Sequence, residues 1–231
     1  DNTTRKFLNN ELNSYEKMRL GNGMYPSIYC KTGNLRTTYY AFSILSVANK
    51  KPLDNLILIE YISNMVTNDF ASKVYEPEES YYLLNLLLDL EINLSKDNRK
   101  RFIEIFLNNI ENCTVNLDVR SMFCSIKGLK LLHYNLKNID KNYIQILDRK
   151  YMDKNYIYKF PNALQKDLVY TSLMIDIKKD MDIDIYNYDE LRDSFLQSIE
   201  QKSSVIELFY YILALKNLGV KDVNNYFDEN Y

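Results

Sequence analysis

Tryptophan is missing from this 231-residue chain, and histidine is present once, at His133. With a single imidazole, every Ser-His-Asp or Cys-His arrangement rests on His133 alone, and no Gly-x-Ser-x-Gly run accompanies it. Five glycines and four prolines are few. That scarcity argues against a β-sandwich or a disordered chain and for long uninterrupted helices. The glycines are scattered, so there is no glycine-rich phosphate loop. Three cysteines, Cys30, Cys113 and Cys124, cannot pair completely and do not form a disulfide framework. Neither charge sign is in excess: 29 basic against 31 acidic residues give a net charge of −2. Nothing in that balance draws the chain toward nucleic acid. No apolar run approaches the roughly 20 residues that span a bilayer, and the longest, from Tyr81 to Leu90, is broken by Asn85 and Asp89.

What the chain has is tyrosine, 21 against 10 Phe, and a recurring helical phrase. It stands as Thr38-Tyr39-Tyr40-Ala41, as Ser80-Tyr81-Tyr82-Leu83, more loosely from Ser121 and Val169, and again as Phe209-Tyr210-Tyr211. Taking Tyr40, Tyr82, Cys124, Tyr170 and Tyr210 as equivalent gives steps of 42, 42, 46 and 40 residues. A period in that range marks a repeat architecture. Hydrophobic residues make up 46% of the chain, enough for a substantial core.

The pattern predicts a helix over 4–20, a Gly21-Asn22-Gly23 stop, and a loop through Pro26 to about Gly33. Two helix types then alternate. Type A is apolar on most sides, at 36–49, 79–93, 118–135, 167–179 and 204–218, as expected of interior helices. Type B is amphipathic, at 53–67, 96–111, 139–151, 188–201 and a stub at 221–229. In the second of these Phe102, Ile103, Phe106, Leu107 and Ile110 form a stripe opposite Arg99, Lys100 and Glu104. Pro77 with Glu78 and Glu79, Ser95, and Gly219 read as helix-end signals. No Pro-, Ser- or Gly-rich linker divides the chain, so the sequence predicts one domain over 1–231. Its fold is all-α, built from about five helical hairpins of roughly 40–46 residues. The apolar A helices favour a closed ring over an open solenoid of the HEAT kind.

Ser or Thr, an aromatic pair and an Ala/Leu-rich stretch resemble the prenyltransferase and squalene-cyclase type repeat. The residues that carry it are Thr38-Tyr39-Tyr40-Ala41 with Leu45, Ser80-Tyr81-Tyr82 with Leu87, and Tyr210-Tyr211 with Leu215, Leu218 and Gly219. Gly23-Met24-Tyr25-Pro26 is similar to the short turn that leads into such helices. The resemblance implies an α/α toroid, partial or complete, with a cavity or funnel on its axis. It would make Tyr40, Tyr82, Tyr170 and Tyr210 candidates for lining that cavity, set against simple packing between helices.

The chemistry of such enzymes can be sought directly. Protonating an alkene calls for an Asp-x-Asp-Asp acid; the nearest run is Asp180-Met181-Asp182-Ile183-Asp184, without an adjacent pair. An Asp-Asp-x-x-Asp magnesium site is missing. Zinc ligands would have to come from Cys113, Cys124, Asp118 and His133. Asp118 and His133 lie at opposite ends of one helix, about 22 Å apart at 1.5 Å per residue. The sequence therefore predicts no metal site and no cofactor. The expected role is binding of an apolar or peptide-like ligand, or of a protein partner on one rim, with no nucleic acid and no integral membrane segment. A divergent cyclase or prenyltransferase, a carboxylate-based hydrolase and an adaptor solenoid are the alternatives. Localisation stays open: reduced thiols suit a cytoplasmic protein, and a chain that starts at Asp1 also suits a secreted one.

Overall fold

The computed structural model describes residues 17–27, 30–47, 55–69, 75–112, 118–153, 167–200 and 205–220. Among them are nine α-helices and one two-stranded ladder, β1 (Pro26–Ser27) and β2 (Cys30–Gly33). The helices are α1 (Leu35–Val47), α2 (Leu56–Asn64), α3 (Pro77–Asp89), α4 (Lys96–Glu111), α5 (Val119–Leu131), α6 (Asn142–Tyr151), α7 (Leu168–Asp180), α8 (Tyr188–Glu200) and α9 (Val205–Asn217). The chain is helical, as the sequence predicts. The helix expected over 4–20, up to residue 16, and the stub at 221–229 lie outside the described residues. No described helix is long and apolar enough to cross a membrane.

Two compact units divide the chain, residues 1–105 and 106–231, with the boundary inside α4. In the first, the stretch expected as a loop pairs antiparallel, Pro26 opposite Gly33 and Ser27 opposite Cys30. The turn is fastened to α1: the Tyr25 amide donates to Thr38 Oγ1 at 3.1 Å, and Thr37 Oγ1 donates to the Tyr25 carbonyl at 2.8 Å. Helix α1 packs against α3. A π-helical turn, Met65–Asp69, prolongs α2. In the second unit α7 packs against α5 on one side and α9 on the other. Residues Tyr170 to Lys178 are all buried, so this helix has no wet face. Helix α8 lays Leu191, Phe195 and Ile199 onto Ile175, Tyr211, Ala214 and Leu215. Helix α4 buries Phe102, Phe106 and Ile110 in one stripe and exposes Arg99, Lys100 and Glu104. Its start is capped by Ser95 Oγ, which accepts from the Asn98 amide at 3.2 Å.

The A helices α1, α3, α5, α7 and α9 each span 13 residues. The last four end alike. A residue with positive φ follows the last helical turn: Glu91 at 55°, His133 at 53°, Asp182 at 54° and Gly219 at 79°. The next amide then reaches back to the fifth carbonyl before it: Ile92 to Leu87, Tyr134 to Leu129, Ile183 to Lys178 and Val220 to Leu215, at 2.8–3.0 Å. This double closure satisfies carbonyls that a helix end leaves open. Three of the four use a side chain where glycine is the unstrained choice, at a cost of roughly 1 kcal/mol each. Replacing Glu91, His133 or Asp182 by Gly is therefore expected to stabilise the protein by up to about 1 kcal/mol in guanidinium unfolding. A loss of stability in all three variants would show that the strain is relieved elsewhere.

This common end corrects the repeat register. Counting from the first helical residue, the sixth position holds Tyr40, Tyr82, Cys124, Leu173 and Tyr210. Tyr170 sits at the third position of its helix, a turn too early. The steps between A helices are 42, 42, 49 and 37 residues.

Candidate functional site

With the helices in register, the second, fifth or sixth, ninth and last positions follow a three-to-four spacing and share one face. That face is where the aromatic and polar groups gather. In the first unit it carries Arg36, Tyr39, Tyr40 and Ser43 from α1, and Tyr81, Tyr82 and Asn85 from α3. The four rings form one cluster. Tyr39 lies 5.3 Å from Tyr40, 5.9 Å from Tyr81 and 5.3 Å from Tyr82, centroid to centroid, and Tyr40 lies 6.0 Å from Tyr82. These are the separations at which tyrosine rings attract beyond their buried area. Tyr81 and Tyr82 are buried, whereas Tyr39 and Tyr40 are half-buried. Burial pushes the Tyr39 phenol above its ordinary value, against hydrogen bonds with Tyr81 and Ser43 that lower it. Asn85 Nδ2 donates to the Tyr81 carbonyl at 2.7 Å. The Arg36 guanidinium carbon lies over the Tyr40 ring, 5.9 Å from its centre.

In the second unit the same face is charged. Lys127 Nζ, from the ninth position of α5, lies 2.7 Å from Asp176 Oδ2 and 2.6 Å from Asp180 Oδ2, one helical turn apart on α7. Lys130 pairs with the other oxygen of Asp180. Asn217 Nδ2 of α9 donates to Asp176 Oδ1 at 3.0 Å. Two carboxylates and two ammoniums thus tie three helices together, and the Asp176 and Asp180 side chains are 8% and 6% exposed. Such low exposure for ionised groups requires this pairing. On another side of α7, Lys178 Nζ meets Asp148 Oδ2 of α6 at 2.9 Å.

The acidic run that resembles a catalytic acid is thus dispersed. Asp180 ends α7 with both oxygens occupied by lysines. Asp182 is the positive-φ residue after the helix, exposed, and its carbonyl accepts from Lys141 Nζ at 2.7 Å. Asp184 is exposed. Of the four repeat tyrosines, Tyr82 and Tyr170 are buried, at 4% exposure each, and Tyr40 and Tyr210 are half-buried. The structure brings Tyr40 and Tyr82 together. His133, expected at the far end of a helix, lies just beyond one and is exposed. Cys124 is a buried free thiol; Cys113 and the Cys30 side chain fall outside the described residues. Among the described residues no three His, Cys, Asp or Glu side chains converge on a metal-sized site.

Tyr170 has its own setting at the start of α7. Its hydroxyl bonds the Asp118 carboxylate, and the Arg120 guanidinium lies 5.9 Å from its ring centre. Burial pushes its phenol up to about 12; the Asp118 charge adds to the rise, Arg120 opposes it, and Asp167 contributes least. The unfolded phenol titrates near 10, so between those values the folded chain keeps a proton that the unfolded chain has released. The resulting stability is complete below pH 10 and is lost as pH rises toward 12. Tyr170→Phe is expected to flatten the fall in denaturant midpoint between pH 9 and pH 11.5. An identical fall in both proteins would remove Tyr170 as its source.

Neither a scan of protein-family models nor a search of curated proteins returns a match to this chain.

Proposed function

We propose that this chain is a non-catalytic binding domain, an α/α toroid in part or whole, that holds an apolar or peptide-like ligand against the tyrosine face of its A helices. One observation carries the reading: four tyrosines of α1 and α3 make a continuous aromatic surface of which two rings remain half-exposed. Tyrosine gives large contact area at small entropic cost and a hydroxyl for a polar backbone. Four further features support it. The A helices share their length and the last four share a terminator, and α7 is buried on every face from Tyr170 to Lys178, as an inner-ring helix would be. The sequence also resembles the prenyltransferase and squalene-cyclase type repeat. Asp176 and Asp180, the buried carboxylate pair on the same face, are spent on lysines rather than presented to a substrate.

The test uses 13C-tyrosine-labelled protein and decanol as an apolar probe. Saturable shifts of a few tyrosine ring resonances are expected, abolished by Tyr40→Ala with helicity retained. Unsaturable shifts, or shifts that survive the substitution, would refute the site. For the ring, X-ray scattering in solution should give a radius of gyration of about 17 Å, the value for a compact chain of this length. A markedly larger radius would favour the open solenoid.

A further inference from the structure

The geometry points to a ligand that carries a carboxylate on its apolar body, received by Arg36. This rests on the binding reading above and specifies what that site takes. Three arginine–tyrosine cation–π contacts are present among the described residues, and they differ in what else the guanidinium does. Arg19, over Tyr25, spends Nε on the Gly23 carbonyl at 2.7 Å and Nη2 on Asn55 Oδ1 at 3.2 Å. Arg120 lies over Tyr170, whose hydroxyl bonds the Asp118 carboxylate. Arg36, over Tyr40, makes no hydrogen bond or ion pair among the described residues. Its side chain is exposed, and the Tyr40 hydroxyl beneath it has no hydrogen-bond partner among them either.

A cation–π contact at this distance uses the charge of the guanidinium and none of its N–H donors. Those donors form a planar fork. A carboxylate matches that fork with two parallel hydrogen bonds, stronger than neutral ones. Tyr40 brings a hydroxyl to the same contact, a further donor. Next to this polar end lie the half-buried rings of Tyr39 and Tyr40, backed by the buried Tyr81 and Tyr82. A polar anion alone would leave the rings unused. An uncharged apolar molecule would leave the guanidinium fork unused. An amphipathic carboxylate, such as a fatty acid or a peptide C-terminus on an apolar residue, engages both.

The experiment compares matched probes on the full chain by the same tyrosine resonances. Decanoate is set against decanol, and acetyl-Phe-Leu with a free C-terminus against its amide. Decanoate or the free peptide is expected to bind about tenfold tighter than its uncharged match. Arg36→Met should abolish the preference, so that the charged and uncharged probes of each pair bind within about twofold of one another. Equal affinity within both pairs, with binding still lost in Tyr40→Ala, overturns the carboxylate and keeps the binding site. Absence of saturable binding by all four probes overturns the site, and this inference with it. Preference in one pair alone supports the proposal and identifies the lipid-like or the peptide source.

Discussion

Lys127→Met is expected to cost about 3–5 kcal/mol of stability, because it strips the positive partner from two carboxylates buried between helices. Among the described residues, Asp176 would retain only Asn217, and Asp180 only the more exposed Lys130. Methionine fills most of the space of the lysine stem, so the loss reports charge rather than volume. The converse replacement separates the two. Lys127→Met combined with Asp176→Leu and Asp180→Leu removes both buried anions with their cation, and should recover most of the loss, since buried ion pairs replaced as a set by apolar groups are often neutral. Guanidinium unfolding followed by circular dichroism reads both variants. A single-variant loss under about 1 kcal/mol would mean that water reaches the pair and screens it.

That network also marks where sequence reasoning reached its limit. The A and B helices were legible because apolar residues recur at three-to-four spacing, and Ser95, Pro77 and Gly219 fixed three of their ends. The A helices expected at 79–93 and 118–135 end instead at Asp89 and Leu131. The overshoot has a cause: Ile92 and Tyr134, apolar and in phase, look like continued helix. They are the residues whose amides fold back onto the last turn. Nothing local distinguishes Glu91 or His133 in a left-handed conformation from another helical residue, as glycine would.

Register failed at the fourth A helix for a related reason. An aromatic match placed Tyr170 with the other tyrosines, but what recurs in space is the 13-residue length and the terminator, which put Leu173 there. The error reverses at the next helix, so Tyr210 falls back in register and the slip leaves no trace downstream. The polar groups of the shared face were legible only as anomalies. Lys127 between Ile126 and Gly128, and Asp176 between Ile175 and Ile177, are charges set between uncharged neighbours in the middle of buried helices. Such charges must be paired. Their partners lie 49 residues apart on different helices, a relation that no single-sequence period encodes.

Gly128 shows the same dependence on tertiary contact and gives the second large effect. A glycine at the tenth position of α5 costs about 1 kcal/mol against alanine in helix propensity. The A helices α3, α7 and α9 place Leu86, Ile177 and Ala214 at that position, all fully buried. A Cβ on Gly128 would lie 2.3 Å from Cε2 and Cζ of Phe106, whose ring is itself fully buried. The ring thus fills the volume that a side chain on α5 would take. Gly128→Ala is expected to destabilise by about 1–3 kcal/mol despite its better propensity, as overpacking does. Phe106→Ala should cost about 3–5 kcal/mol by emptying the same space. The decisive measurement is the sign of Gly128→Ala in a Phe106→Leu background. With the ring edge gone, the atoms nearest the methyl group are removed, and alanine should stabilise by up to about 1 kcal/mol through propensity alone. If Gly128→Ala stabilises the otherwise unaltered chain, the ring has room to move and the glycine is not required by packing.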